Sequence, residues 1–479
     1  MKIKEYIDVI EIAQRLVEET ASVNFAETRR FFDVRINPER VDITDTGTDD
    51  CDAARGKVCA GFESGDRRAD KCDRANDDLV CNKLFYADNL PVLKSMISMP
   101  QYREKLNLIY IDPPFFTKSD HHAVSRVGGK NIKHPAYGDG KGHDKKNYLA
   151  GLVARLTMMK ELLAKDGLIW IHLDWHVVHY AKVLMDEIFG EKNFINEVIW
   201  TYKSGGSGKR RFSRKHDNLL LYAKSSKYKF NPLKEKSYNR RGEPYCFKGV
   251  EEYEDEKGWY TLVNMKDVWG IDVVGRTSNE RTGYATQKPE LLLRRIIETS
   301  TDKGDLCGDF FSGSGTLAAV AAGSGRNFVV CDESGTAIEN SVERLLKTGC
   351  DFRVFEDESI HTEREMKGAE SSGVEVVVSG DPAGCKKSIK TVGAARAKAS
   401  LTTQEYRICL SDITARMDTI RYWAVDADYD GAVFRPQMVF LREKGKLKNS
   451  CLIEKEKLFK KRVLVKVYDV FGNIFYKLL

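Results

Sequence analysis

The chain has 479 residues, enough for two or three domains and a large core, and 31% of them are charged. The formal net charge of +6 is small for this length, so the total alone indicates no partner. No apolar run approaches the roughly 18 residues of a membrane span, and the opening residues are unlike a signal peptide. Eleven irregularly spaced cysteines favour reduced thiols in a cytoplasm over a disulfide framework.

The N-terminal part divides into two predicted segments, a helical one over residues 1–41 and an acidic one over 42–80. The second has eleven Asp/Glu against six Lys/Arg and one aromatic residue, which predicts a linker or disordered insert. Four cysteines fall in or near it: Cys51, Cys59, Cys72 and Cys81. They lack the paired C-x₂₋₄-C spacing of zinc sites, so we expect no metal there.

Residues 81–202 alternate between predicted strands and helices. LNLIYIDPPF begins with a fully apolar strand, typical of a parallel sheet covered on both faces. YLAGLVARLTMMKELLAKDG predicts an amphipathic helix closed by Gly167, LIWIHLD the next strand, and VVHYAKVLMDEIFG a further helix. This rhythm predicts an α/β fold with a doubly wound, mostly parallel sheet.

The rest of the chain divides into three predicted parts. Residues 203–285 are interpreted as an insert, because 203–248 carry 14 Lys/Arg against 3 Asp/Glu with aromatic residues interleaved. The α/β rhythm returns over 286–350. Residues 351–479 contain strand-like runs with turn signals, which predict a small β-rich C-terminal domain whose role the sequence does not indicate.

A glycine-rich loop, GDFFSGSGTLAA, follows one predicted strand and opens a helix. Gly313 and Gly315 permit a tight turn and a close backbone approach, and the helix N-terminus offers unpaired N–H groups. Asp332 ends the next strand, where it can bind ribose hydroxyls. Taken alone, the loop fits a dinucleotide site, an S-adenosylmethionine site or a structural turn.

The stretch DPPF ends another predicted strand, so it can face the same crevice. An oxidoreductase has no use for it, but a transferase that methylates an aromatic amino group has. Asp112 and the Pro113 carbonyl can accept the two N–H bonds of such a group and expose its lone pair. The prolines fix the backbone, and Phe115 can stack on a base that has been flipped out of the duplex. A plain strand-ending turn is the alternative.

The order of these motifs, DPPF at 112–115, then the basic insert, then FSGSG at 311–315, resembles the β-group amino DNA methyltransferases over roughly residues 82 to 347. That family includes modification subunits of restriction–modification systems. The resemblance implies a Rossmann-like S-adenosylmethionine-dependent methyltransferase fold. It also implies a catalytic role for Asp112, Pro113, Pro114 and Phe115.

The same resemblance implies the cofactor site. Its core residues are Asp309, Phe311, Gly313, Gly315 and Asp332. TQKPELLLRRII resembles the family's element beside the methionine part of the cofactor, and FYADNLPVL its opening element; these add Thr286, Lys288, Pro289 and Asp88. Two residues depart from the family pattern, because Phe115 replaces the commoner Tyr and Phe310 stands where Pro is usual.

Three neighbouring stretches carry further expectations. Residues 116–147 are expected to form a long loop that closes over the flipped base. In HLDWHVVH, His172 and His176 do not share a helical face, so no metal site is expected, and the role of Asp174 stays open. The basic insert is expected to bind DNA phosphates, with these candidate contacts: Lys209, Arg210, Arg211, Arg214 and Lys215.

The sequence therefore predicts a site-specific methyltransferase that uses S-adenosylmethionine to methylate N6 of a flipped-out adenine in double-stranded DNA. A cytosine-N4 enzyme is the nearest alternative, followed by an NAD-dependent oxidoreductase and a non-catalytic DNA-binding subunit. The expected setting is the cytoplasm of a bacterium or archaeon, at the nucleoid, with no membrane contact. The family implies a second copy and a restriction endonuclease as further partners.

Overall fold

A computed structural model describes these residues: 3–22, 32–34, 82–117, 119–127, 130–139, 144–203, 209–240, 242–275, 277–356, 374–379, 405–412, 417–431, 434–442, 446–454, 462–470 and 474–479. The expected acidic linker over 42–80 and its four cysteines lie outside them.

The helices follow the predicted α/β rhythm. They are α1 (Ile3–Glu19), α2 (Asn89–Ile97), α3 (Lys145–Leu162), α4 (Val178–Phe189), α5 (Glu290–Ser300), α6 (Thr316–Gly323) and α7 (Gly335–Thr348). The helix expected to close at Gly167 ends at Leu162 instead, because Gly167 lies inside the next strand. A Cβ at Gly167 would lie 2.9 Å from the Leu106 carbonyl oxygen, so only glycine allows the strands to pair this closely.

The strands in chain order are β1 (Phe32–Val34), β2 (Asn82–Tyr86), β3 (Leu106–Ile111), β4 (Ser119–Val127), β5 (Lys130–Asp139), β6 (Leu163–Leu173), β7 (Phe194–Thr201), β8 (His216–Ala223), β9 (Lys234–Tyr238), β10 (Glu252–Asp255), β11 (Gly258–Asn264), β12 (Val268–Gly270), β13 (Leu306–Asp309), β14 (Asn327–Asp332), β15 (Phe352–Glu356), β16 (Val374–Ser379), β17 (Glu405–Asp412), β18 (Ile420–Asp426), β19 (Met438–Leu441), β20 (Ser450–Glu454), β21 (Leu464–Asp469) and β22 (Ile474–Leu478).

The largest sheet has ten strands in the order β1-β15-β2-β14-β13-β3-β6-β8-β7-β12. Its strands run parallel except at β8, which is antiparallel to both neighbours, and at the edge strand β1. Apolar side chains of α1–α4 cover one face, and those of α5–α7 cover the other. The predicted doubly wound, mostly parallel α/β fold is confirmed.

The basic insert expected over 203–285 contributes strands to two sheets. β8 lies within the main sheet between β6 and β7, and its side chains are almost all buried. β9, β10 and β11 form a separate small antiparallel sheet. The chain between β7 and β8, residues 202–215, therefore connects two neighbouring strands of the main sheet.

The segment expected as a loop over 116–147 instead contains an antiparallel hairpin of β4 and β5. The hairpin contacts the segment before α5, since the Val124 N–H donates to the Gly283 carbonyl at 2.9 Å. Ala123 packs with Tyr284 and Ala337. The expected long loop is thus replaced by two paired strands.

The C-terminal part contains two small antiparallel sheets, β16-β17-β20 and β19-β18-β21-β22. The second packs on α7, where the Tyr422 hydroxyl donates to Glu339 at 2.7 Å and Arg421 pairs with Glu343 at 3.4 Å. Its β-rich character agrees with the prediction, and its contacts lie on the α7 side of the main sheet.

Candidate active site

The predicted site residues come from strands that end at one edge of the main sheet. β13 and β3 are parallel neighbours, yet the chain leaves β13 toward β14 and leaves β3 toward β6. Such a reversal opens a crevice beyond the carboxyl ends of the strands. A cleft with about 860 Å³ of empty space, its open mouth included, lies there between the DPPF segment and the glycine-rich loop.

Most of the predicted residues line this cleft. These are Asp88, Asp112, Pro114, Thr286, Lys288, Asp309, Phe311, Gly313 and Asp332. Pro289 and Gly315 immediately precede α5 and α6, so they shape the cleft through the backbone. The structure thus brings together residues up to about 240 positions apart in the sequence.

The glycine-rich loop is held by its backbone conformation. Gly313 and Gly315 have φ of 49° and 69°, a region that suits glycine. A Cβ at Gly315 would lie 2.9 Å from the Ser341 Cα, so α6 and α7 can approach only because that atom is absent. The Gly313 N–H donates to Asp332 at 2.7 Å, which ties the loop to the end of β14.

Two carboxyl groups face the loop, the buried Asp309 and the partly buried Asp332. Burial raises the pKa of Asp332 to about 6, although N–H groups of Ser334 and Gly313 donate to it and oppose the shift. Burial also raises the pKa of Asp309 well above its usual range, and the charges of Asp112 and Asp332 add to the effect. Such groups are stabilised by a hydrogen-bond donor or a positive charge in the cleft.

The opposite wall contains a small polar network. Asp88 accepts from the Leu90 N–H at 3.0 Å and pairs with Arg155 at 3.0 Å. Asn89 accepts from Arg155 and donates to the Phe310 carbonyl at 2.6 Å. Sequence reasoning missed Asn89 and Arg155, and also the exposed Glu333, which follows Asp332 at the cleft. Only the position of Asn89 and Glu333 beside predicted residues could have indicated them.

The two carboxylate oxygens of Asp112 have different environments. Oδ2 accepts from the Lys288 ammonium, and both side chains are largely buried. Oδ1 is buried and, among the described residues, has no hydrogen-bond partner. Lys288, which also lines the cleft, has its ammonium at this carboxylate and 5.3 Å from the centre of the Phe115 ring.

The double proline and the two phenylalanines have distinct roles in the fold. The Pro114 carbonyl accepts from the Tyr148 hydroxyl at 2.6 Å, which fixes the turn against α3. Phe116 has a positive φ of 60°, is 6% exposed, and packs against Tyr148. Phe115 is partly buried, and neither Phe115 nor Pro113 is among the residues that line the cleft.

A buried histidine supports Phe115 from behind. His172 is fully buried, and its ring lies 5.8 Å from the Phe115 ring and 5.3 Å from that of Trp200. Its Nε2 lies 3.3 Å from Asp217, and its Nδ1 lies 3.0 Å from the Tyr110 hydroxyl. A carboxylate only accepts, so Nε2 donates its proton to Asp217, and Nδ1 is hydrogen-bonded to the Tyr110 hydroxyl.

The electrostatics of this network follow from its hydrogen bonds. Burial alone would raise the pKa of Asp217, but the hydrogen bond and charge of His172 lower it below its usual value. The Tyr202 hydroxyl also donates to Asp217, at 3.2 Å. Burial and the charge of Asp112 raise the pKa of Tyr110 well above its usual value, so Tyr110 keeps its proton.

The predicted DNA contacts lie in the connection between β7 and β8. Lys209, Arg210 and Arg211 are exposed. Arg214 places its guanidinium 3.4 Å from the centre of the Trp175 ring, and Lys215 donates to the Lys203 carbonyl at 3.0 Å. This connection therefore carries positive charge at the same sheet edge as the cleft.

Metal-binding and membrane-spanning features are both absent from the described part of the chain. There, no group of three or more His, Cys, Asp or Glu side chains is arranged to hold a metal ion. Asp174 instead pairs with His176 at 2.6 Å, and burial raises the pKa of Asp174. None of the described helices combines the length and apolarity that a membrane span requires.

Comparison with known proteins assigns the domain. A family profile described as DNA methylase, of the N6/N4 class, matches residues 106–343. Residues 106–343 belong to the N6/N4 DNA methylase family. This DNA methylase domain includes the DPPF segment and the glycine-rich loop, and the match sets aside the oxidoreductase alternative.

Curated relatives of this chain include proteins that are about a quarter identical to it. The type II methyltransferase M.EcaI of Enterobacter cloacae is 27% identical, over 56% of this chain and 70% of its own. The DNA adenine methyltransferase YhdJ of Escherichia coli (strain K12) is 26% identical, over 55% of this chain and 82% of its own. Among solved structures, the cytosine-N4-specific PvuII DNA methyltransferase matches with 16% identity over 55% and 86%, and a TM-score of 0.38.

The DNA methylase is thus a methyltransferase whose substrate is DNA and whose cofactor is S-adenosylmethionine. The family does not by itself separate adenine N6 from cytosine N4 as the acceptor.

Proposed function

We propose that the protein transfers a methyl group from S-adenosylmethionine to the exocyclic N6 amino group of a flipped-out adenine in double-stranded DNA. The observation that carries this proposal is the buried Asp112 Oδ1, which has no hydrogen-bond partner among the described residues and lies three residues before the partly buried Phe115. A buried acceptor without a donor is unfavourable, so a ligand N–H group at this position would be strongly preferred. An aromatic amino group stacked on Phe115 provides such a donor.

The cleft fits the cofactor in its charge and its polar atoms. Ser312 Oγ is buried in the lining and lacks a partner among the described residues, so it is free to bond a ligand. Asp332 and Glu333 are the acceptors available for ribose hydroxyls, and the backbone at Gly313 permits close approach. When bound, S-adenosylmethionine supplies a methyl group on a positively charged sulfur, which the nearby carboxylates favour.

The remaining steps belong to the side chains at the end of β3. Phe115 stacks on the flipped base and replaces its lost stacking. Asp112 Oδ1 accepts one N–H of the amino group, which favours a tetrahedral nitrogen with an available lone pair. Asp112 Oδ1 would accept the proton that the nitrogen loses on methylation. Lys288 holds Oδ2, so the carboxylate keeps one orientation throughout.

Adenine is proposed over cytosine because DPP followed by an aromatic residue is more usual in adenine enzymes of the family. The similarity to a relative named as a DNA adenine methyltransferase supports the same choice. The two chemistries need nearly the same acceptors, so a cytosine-N4 enzyme is the second candidate.

Nucleoside mass spectrometry of DNA incubated with the protein and S-adenosylmethionine tests the proposal. We expect N6-methyladenine. N4-methylcytosine alone would contradict the choice of base, and no methylated base from any DNA would favour a non-catalytic DNA-binding subunit.

We further propose that DNA lies along residues 209–215, with the small β9–β11 sheet contributing to target recognition. The exposed positive charges there give salt-dependent phosphate binding. Similarity to the type III restriction-modification enzyme EcoP15I Mod subunit supports an endonuclease partner, and the family suggests a homodimer. We also propose that the enzyme acts at the nucleoid in the cytoplasm of a bacterial or archaeal cell.

A further inference from the structure

The connection between β7 and β8 carries an exposed aromatic side chain among its basic residues. Phe212, in the run KRRFSR, is 96% exposed, the highest value among the exposed large apolar side chains of the described residues. In the described part of the chain its ring contacts no other ring and no cation. A phenylalanine in this position contributes nothing to the core, and an exposed ring of this kind is typical of a binding surface.

Both ends of this connection are fixed beside the active site. At its start, the Tyr202 hydroxyl donates to Asp217, which bonds His172 beneath the Phe115 ring. At its end, Arg214 stacks on Trp175, two residues beyond the end of β6. Lys215 bridges the two ends by donating to the Lys203 carbonyl. Phe212 therefore lies in a connection whose two described ends are held at the catalytic edge of the sheet.

The charge around Phe212 selects its partner. Lys209, Arg210 and Arg211 precede it and are exposed, and Arg214 follows it. Cations of this density attract the phosphates of a duplex and place the intervening ring against the bases. An apolar side chain in that position can enter the base stack, as wedge residues do in other DNA-binding proteins.

We propose that Phe212 is a wedge that enters the duplex and fills the gap left by the flipped target base. The inference rests on the proposed function, which requires the base to leave the stack. Phe115 then stacks on the flipped base, and Phe212 stabilises the duplex that this base has left. The basic side chains around Phe212 bind the DNA phosphates, but they do not fill the gap in the base stack.

The test compares two duplexes that carry the site mapped from genomic DNA methylated by the wild-type enzyme. In one the target base is paired, and in the other it lies opposite an abasic site, so flipping meets little resistance. With Phe212→Ala we expect single-turnover methylation of the paired duplex to slow by about ten- to a hundredfold, as loss of one stacking contact predicts. On the second duplex the rate should stay within about threefold of wild type, because the flip is already favourable.

Three further variants serve as controls. Phe212→Trp retains a ring and should keep most of the rate. Tyr476→Ala removes an exposed ring from β22 and should change neither rate. Arg211→Ala removes a phosphate contact and should slow both duplexes by the same factor.

Equal slowing of both duplexes by Phe212→Ala, or no slowing of either, would overturn the wedge while wild-type transfer still supports the proposed function. Absence of transfer by the wild-type enzyme from any DNA would remove both.

Discussion

The Lys288 ammonium donates to one oxygen of the Asp112 carboxylate and leaves the other oxygen buried without a partner in the described structure. Lys288 reaches this position from the segment just before α5, 176 residues away in the chain. Its carbonyl accepts from the Thr316 hydroxyl at 3.3 Å, so its backbone is tied to the start of α6. The carboxylate and the glycine-rich loop are thereby joined through one residue.

Lys288→Met should lower kcat by roughly a hundredfold, because a carboxylate released from its partner loses the orientation that the reaction needs. The rate is measured at saturating DNA and cofactor, and cofactor affinity by calorimetry. Lys266→Met is the matched control, since Lys266 is 75% exposed and pairs with Glu235 on the surface. If Lys288→Met lowers only the cofactor affinity and leaves kcat unchanged, Lys288 binds the cofactor and does not orient Asp112.

Gly315→Ala should destabilise the glycine-rich loop. The added Cβ meets the Ser341 backbone and the φ of 69° is strained for alanine, so we expect a loss of roughly 1–3 kcal/mol in unfolding free energy. Cofactor affinity should fall as well. Gly323→Ala, at the other end of α6, adds a Cβ with nothing within 4 Å and should leave both quantities nearly unchanged. Equal effects of the two variants would contradict the close contact between α6 and α7.

Cofactor affinity should rise as the pH increases through about 6, because the pKa of Asp332 is raised to about 6 and the ionised carboxylate is the better acceptor for ribose hydroxyls. The same shift should make the free protein less stable as pH rises from about 4 to 6, since the folded state binds the proton more tightly than the unfolded state. Calorimetric titrations between pH 5 and 8 measure the first effect, and thermal melts the second.

Asp332→Asn should flatten both pH profiles. Two variants serve as comparisons for the pH profiles. Asp309→Asn removes another carboxyl group with a raised pKa, and Glu333→Gln removes the charge of another carboxylate at the cleft. An unchanged profile in Asp332→Asn would assign the titration to another group.

His172→Phe should lower the free energy of unfolding by roughly 3 kcal/mol, because Asp217 loses a buried partner and remains charged. The kcat should fall too, since Phe115 loses the ring that supports it. His179→Phe is the control within the same HLDWHVVH stretch, since His179 is exposed on α4. Chemical denaturation checks the stability, and a value for His172→Phe close to that control would show that the network contributes little.

The sequence was sufficient to predict the elements whose pattern is local. The uninterrupted apolar run of β3 and the glycines before α6 each have one plausible structure, and the rule for parallel sheets then brings their ends to one edge. The strand β8 was not predicted, because its antiparallel place between β6 and β7 is a property of the sheet. Because basic residues precede β8, the strand was included in the insert predicted over residues 203–285.

The side-chain partners within the site could not be predicted in the same way. Lys288 stands beside a proline in a segment that resembles a cofactor element, and only the folded chain shows its pairing with Asp112. In the sequence, His172 is one of several polar residues at a strand end, and only the structure shows its hydrogen bonds to Tyr110 and Asp217. Such contacts depend on distances between elements that no local pattern encodes.

Asp112→Ala tests the central claim most directly. Methylated bases are quantified by mass spectrometry after incubation with DNA and S-adenosylmethionine, and cofactor binding is measured in the same preparation. The account predicts that no methylated base forms while cofactor affinity stays near that of the wild type, because Asp112 acts on the amino group. Full methylation by Asp112→Ala would contradict the account and remove Asp112 from the mechanism.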